Sequence, residues 1–169
     1  MDGGLLAIYI QELFGSLDGV AMWSGMINAA GSLGALFAGL AGSLLIDHFH
    51  PRKLLVFNSI GAAIMMLLFS TAISYKMLIP LRFFLMLFLS AFDPILNTWI
   101  SKITATEKKG LMFGLAQSTK SCGMTIGPCL GGLIAWQINT RMIYIAGTIM
   151  FLILIPLTNK MTKKVKFRD

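Results

Sequence analysis

Gly110-Leu-Met-Phe-Gly-Leu-Ala-Gln-Ser-Thr-Lys-Ser-Cys-Gly-Met-Thr-Ile-Gly-Pro-Cys-Leu-Gly-Gly132 is long enough to cross a bilayer as a helix, yet it carries a lysine, a glutamine, a proline and repeated glycines. In water this composition makes a weak helix, because glycine and proline each lower helix stability. In a membrane the same residues make sense: small side chains let helices approach closely, and polar ones face a shared interior. Such a helix needs neighbours of its own kind.

The rest of the chain supplies them. Of its 169 residues 56% are hydrophobic and 12% charged, about half the charged share of a soluble domain. Apolar runs of about 20 residues recur along it, the pattern of an all-α polytopic membrane protein. Helices apolar all round leave no solvent face, which argues against a soluble core. The net charge of +7 falls in short clusters between the apolar runs. That is how topology signals are arranged, and no nucleic-acid partner is implied. Cys122 and Cys129 lie seven residues apart on one apolar helix, roughly 10 Å, too far for a mutual disulfide. They read as small packing residues.

The N-terminus has neither a basic leader nor a cleavage site, and the apolar run at 4–14 is too short to span. It is expected to be the end of a longer, truncated helix. Full spans are predicted at 20–46, 54–74, 78–100, 111–138 and 142–157, with a basic tail at 159–169. In the first span Gly31, Ala35, Gly39 and Gly42 recur at helical spacing, with Ala30, Gly34, Ala38 and Ala41 alongside. Asn28 and Ser32 share a face there, suited to a hydrogen bond between helices or to a solute contact. Asp93-Pro94 is expected to break the third span, and Pro156 to help end the last.

Lys and Arg are counted by loop. The segments 47–53, 101–110 and the tail hold ten, and the alternate turns hold two, Lys76 and Arg141. This bias alternates through all five spans and places the tail on the cytoplasmic side.

Arg82, Asp93 and Lys120 lie within or near apolar spans. A charge at the bilayer centre costs about 2.5–3.5 kcal/mol on insertion scales, so such residues face a partner, a bundle interior or a water-filled path. Arg82 lies near a helix end and can snorkel to the interface. Ser90, Asp93, Asn97 and Ser101 form one polar stripe that should line a cavity. Gln117 and Ser121 accompany Lys120. Asp93 and Lys120 are suited to neutralise each other across the third and fourth spans, or to a substrate- or proton-linked role; Lys120 can also snorkel. His48 and His50 form an H-x-H pair with only Asp47 nearby, so no metal or other cofactor is expected. No pattern of nucleophilic, metallo- or phosphate-binding catalysis occurs, so the chain is not expected to be an enzyme.

Two motifs resemble the major facilitator superfamily of secondary transporters. Gly42-Ser-Leu-Leu-Ile-Asp47-His-Phe-His-Pro-Arg52-Lys53 resembles the loop motif between the second and third helices of each half. Asp47, Phe49, Arg52 and Lys53 match, while His50-Pro51 stands where Gly-Arg is usual. Gly123-Met-Thr-Ile-Gly127-Pro128-Cys-Leu-Gly131-Gly132 resembles the G-x-x-x-G-P-x-x-G-G antiporter motif of the fifth helix of a half, at every position. Arg82 matches the arginine of the fourth-helix motif, with Leu85-Met86 replacing its usual Gln-Gly. Leu81-Arg-Phe-Phe and Phe113-Gly-Leu-Ala-Gln-Ser118 are similar to the C-terminal half of multidrug-efflux facilitators.

The resemblance implies half of a twelve-helix bundle: residues 1–158 as helices seven to twelve, the first truncated. An N-terminal half cut after helix six has the same topology, and the basic tail favours the C-terminal one. It also implies an integral protein of the plasma or bacterial inner membrane, exporting a small molecule in exchange for protons. Asp93, Asn97, Gln117, Lys120 and Arg82 would line the substrate and proton pathway. Asp47, Arg52 and Lys53 would form a cytoplasmic gate loop, and Gly123, Gly127, Pro128, Gly131 and Gly132 the packing and bending motif. The partners expected are membrane lipid, the solute, and a complementary N-terminal half or a second copy. The alternative is a non-transporting membrane module or remnant that acts only in assembly.

Overall fold

The computed structural model describes residues 19–49, 51–72, 74–137 and 140–162. The expected helical remnant at 4–14 and the end of the basic tail lie outside them. All the regular elements described are helical: α1 (Val20–His48), α2 (Pro51–Ser70), α3 (Tyr75–Ser90), α4 (Phe92–Ile103), a 3-10 turn (Thr106–Lys108), α5 (Lys109–Gln137) and α6 (Thr140–Thr162). The chain is thus an all-α polytopic membrane protein. Segments 21–42, 51–70 and 76–103 are long and apolar enough to cross a membrane, and 142–158 is apolar but shorter. α5 has the length, but its polar and glycine residues keep it out of that group.

The helices outrun the predicted spans at several ends, for a simple reason. Hydropathy marks where hydrocarbon ends, whereas backbone hydrogen bonding marks where a helix ends. Asp47 therefore belongs to the last turn of α1, and Arg52 and Lys53 to the first turn of α2; the expected gate loop shrinks to the link between two helices. Pro51 opens α2, at a position where a missing N–H costs nothing. Phe49, in extended conformation, donates its N–H to the Leu45 carbonyl at 2.9 Å and closes α1. Gly19 precedes α1 with φ at +84°, a left-handed conformation that side chains disfavour.

Two proline expectations need correction. α6 runs through Pro156 to Thr162. Proline removes one donor, which costs the helix a single hydrogen bond to the Leu152 carbonyl, and the helix continues through it for six further residues. The third span does break, but at Ala91, three residues before Pro94. The pyrrolidine ring collides with the carbonyl four residues back, so distortion falls in the preceding turn. Ile95 N–H reaches the Ala91 carbonyl at a long 3.4 Å.

α1 packs most closely on α3, and α2 on α6 and α3. The contact face of α1 is Ile27, Gly31, Gly34, Ala38 and Gly42, whereas a Cβ at Gly39 would meet nothing within 4 Å. Of the small residues in that span, only one stripe makes the crossing. A Cβ at Gly34 would overlap the Phe83 carbonyl oxygen, and one at Gly42 would lie 3.1 Å from the Pro94 ring. Two clusters fill the interior. Ile27, Met66, Phe69, Leu78, Leu85 and Tyr144 form one, with the Phe69 and Tyr144 rings 4.7 Å apart. Ala38, Leu54, Leu55, Ala91 and Ile95 form the other, around the break.

Three buried polar groups turn back on their own helices, which keeps them satisfied where no water reaches. Asn58 donates to the Leu54 carbonyl at 2.9 Å, Ser59 to that of Leu55 at 2.8 Å and Thr148 to that of Tyr144 at 2.9 Å. Ser32 does the same with the Asn28 carbonyl at 3.1 Å, in place of the interhelical bond expected of that pair.

Candidate functional site

Lys120 Nζ lies 2.6 Å from Asp93 Oδ2. Helix arithmetic explains the meeting. Asp93 is ten residues before the end of α4 and Lys120 eleven after the start of α5. At 1.5 Å per residue both sit about 15–16 Å from the turn joining the two helices, near half the hydrocarbon thickness. Two opposite charges at one depth on consecutive antiparallel helices are placed to neutralise each other. Asp93 also occupies the first turn of α4, created by the break at Ala91. Ala91 itself keeps helical angles, φ −68° and ψ −19°, so the interruption is a single residue and the acid stays in line with the span.

The pair is not sealed. The Asp93 side chain is 54% exposed and that of Lys120 38%. Asn97, one turn beyond Asp93, and Gln117, one turn before Lys120, are exposed as well. The other polar residues of α5 are partly self-satisfied: Thr119 donates to the Leu115 carbonyl at 2.9 Å and Thr125 to that of Ser121 at 3.1 Å. Asp93, Asn97, Gln117 and Lys120 therefore form the open polar patch of two neighbouring helices.

Arg82 does not join them. It is 6% exposed, with its side chain laid against α1 in the slot left by Gly31, where a Cβ would stand 3.1 Å from Arg82 Cγ. Burial replaces the snorkelling that was one expectation for it. Arg52 is half-buried and Lys53 exposed at the start of α2. The Asp47 side chain and all of His50 lie outside the described residues. Among the described residues no group of three or more metal-ligating side chains occurs.

The glycine motif is the least expected feature. α5 runs unbroken through Pro128, and residues 117–130 are all exposed. A Cβ at Gly110, Gly114, Gly123, Gly127 or Gly132 would meet nothing within 4 Å; Gly131 is buried. α5 touches little beyond α6, α4 and the 3-10 turn. The smooth face built for close packing has no partner among the described residues. Cys122 and Cys129 lie on this helix as exposed free thiols. Sequence reasoning missed the seat of Pro94 on Gly42 and the contact of Gly34 with Phe83. The small residues were visible, but not which helix they face.

Residues 3–165 match the Major Facilitator Superfamily. The chain belongs to that family. It is 31% identical over 148 residues to a multi-drug resistance efflux pump PmrA homolog of Lactococcus lactis, covering 88% of this chain and 36% of that protein. It is 30% identical over 141 residues to the multidrug resistance protein MdtG of Proteus mirabilis, covering 83% and 35%. With MdtG of an Escherichia coli strain it shares 28% over 149 residues, covering 87% and 36%. The chain thus spans about a third of the length of the curated relatives it matches. No solved structure gives a significant match. As a member of this family the chain is an integral membrane protein of a transporter class.

Proposed function

We propose that this chain is the C-terminal half of a twelve-helix, alternating-access exporter of small molecules, driven by the proton gradient, in which the Asp93–Lys120 pair stands in the solute path. The observation that carries the reading is the open patch itself. A neutralised ion pair is exposed together with Asn97 and Gln117, beside a glycine face that, Gly131 apart, meets nothing among the described residues. A solute cavity between two repeats needs this kind of wall, polar at the midplane and lined by helices that pack on the opposite repeat. The relatives' names point to multidrug efflux, and their greater length leaves room for the opposite wall. A bacterial inner membrane fits those relatives. The exposed bases Lys53, Lys102, Lys108 and Lys160 belong to helix ends on one side of the bundle, which favours a cytoplasmic C-terminus.

The test uses dye efflux and thiol labelling together. In cells expressing this chain with a segment supplying the rest of a relative's length, dye should be exported and Cys122 and Cys129 should resist a membrane-permeant maleimide. In the chain expressed alone efflux should be lost, and both thiols should label quickly once the membranes are dissolved in mild detergent, where the same thiols of the complete transporter stay protected. Rapid labelling in both situations would show that the α5 face stays uncovered and would sink the partner-half reading. Efflux by the chain alone would favour a second copy as the opposing wall.

A further inference from the structure

A crevice of about 110 Å³ lies between α1, α2 and the broken α3–α4 pair. Its walls include Ala41 and Leu45 of α1, Leu54 and Phe57 of α2, and Ile95 of α4. The polar residue Asn58 also borders it, but its amide N–H is already given to the Leu54 carbonyl at 2.9 Å. The amide's oxygen and second N–H leave one polar corner; the other walls are apolar, and apolar cavities of about 150 Å³ take apolar guests. The crevice exists because Ala38, Ala41 and Gly42 are small just where α3 gives way to α4 at Ala91. Leu45 and Phe57 are exposed and frame its mouth.

Lys53 is exposed on α2 one turn before Phe57, so the two share a face. Lys53 stands on the side of Phe57 nearer the helix end. The link 47–53 carries two bases against one acid, and exposed Lys102 ends α4 at the same end of the bundle. Along this face an apolar slot in the spanning region is followed, one turn outward, by a cation at the membrane–water boundary. A basic site bordering an apolar slot has the charge order of an anionic lipid, head to tail.

We propose that the crevice grips a segment of one acyl chain of an anionic phospholipid whose phosphate sits on Lys53, the rest of the chain lying along its open mouth. The lipid would fill the void behind the α3–α4 break and so support the segment that carries Asp93. This site is separate from the open patch and does not depend on what the patch transports.

Native mass spectrometry of the full chain, released from detergent with phosphatidylglycerol or phosphatidylcholine of the same acyl chains, tests it. The wild-type chain should retain one phosphatidylglycerol, with roughly fivefold preference over phosphatidylcholine, the effect of one lysine near an anionic surface. Lys53→Gln, at an exposed position in the first turn of α2, should erase the preference and keep weak retention of either lipid, with helical content unchanged by circular dichroism. Ala41→Phe and the milder Ala41→Leu should remove retention of both, with helical content unchanged by circular dichroism. Equal retention of the two lipids by the wild-type chain would overturn the proposal. So would retention that survives filling at Ala41. Loss of the lipid when the remaining length of a relative is supplied would assign the crevice to protein instead.

Discussion

Neutralising either member of the Asp93–Lys120 pair should lower dye efflux at least about tenfold in a complete transporter, the effect of one to two kcal/mol. Asp93→Asn leaves Lys120 as an unmatched cation near mid-membrane, and Lys120→Met leaves Asp93 as an unmatched anion. The lone charge costs about 2.5–3.5 kcal/mol on insertion scales, so less protein should reach the membrane as well. The double variant Asp93→Asn/Lys120→Met carries no charge and should recover wild-type abundance. The exchange Asp93→Lys/Lys120→Asp should also recover abundance, because it restores a pair at one depth. It should not recover efflux, because it moves the carboxylate from α4, beside Asn97, to α5, beside Gln117, and so changes which helix presents the acid to the solute path. Efflux fully restored by the exchange would reduce the pair to a structural clamp. Immunoblotting of membranes beside the efflux assay separates the two effects.

Gly34→Ala should be the most damaging single methyl group in the bundle. Its Cβ would overlap the Phe83 carbonyl oxygen, stand 3.0 Å from the Phe83 carbonyl carbon and 3.2 Å from the Leu87 nitrogen. All three are backbone atoms and cannot rotate away, so α1 and α3 must separate along their main contact. Overpacking of this kind costs about 1–3 kcal/mol, and the larger Gly34→Leu should prevent assembly. At Gly31 the opposing atoms are side-chain groups of Arg82 and Met86 at 3.1 Å, which can shift, so Gly31→Ala should cost less. Gly39→Ala meets nothing within 4 Å and should be neutral or stabilising by up to about 1 kcal/mol, from helix propensity alone. Thermal unfolding of the purified variants in detergent gives the ranking. Equal loss at positions 34 and 39 would mean that helix flexibility, not the crossing, is what glycine provides.

The contrast between Gly34 and Gly39 shows where sequence reading stops. Both belong to the same run of small residues, and periodicity shows that the run exists. Which stripe faces a neighbour depends on the rotation of α1 against α3, a tertiary property. The helix ends were displaced for a related reason: Arg52 and Lys53 read as loop residues because they are charged, yet charge bounds the lipid and not the helix. Arg82 was placed in depth but not in surroundings, since nothing local announces the slot beside Gly31 that buries it.

The sequence by itself determined the class of the molecule and its family, through apolar runs of spanning length, alternating basic clusters and the motif from Gly123 to Gly132. It also carried the Asp93–Lys120 pairing in outline, because depth along two consecutive antiparallel helices is set by residue count alone. Only the tertiary structure decided which faces are covered. It closed the Gly31–Gly34–Ala38–Gly42 stripe against α3 and α4, and left the glycine face of α5 and the ion pair open. The physical reason is that counting along a helix fixes height, whereas burial depends on rotation about the helix axis, and rotation is settled by all the neighbours at once.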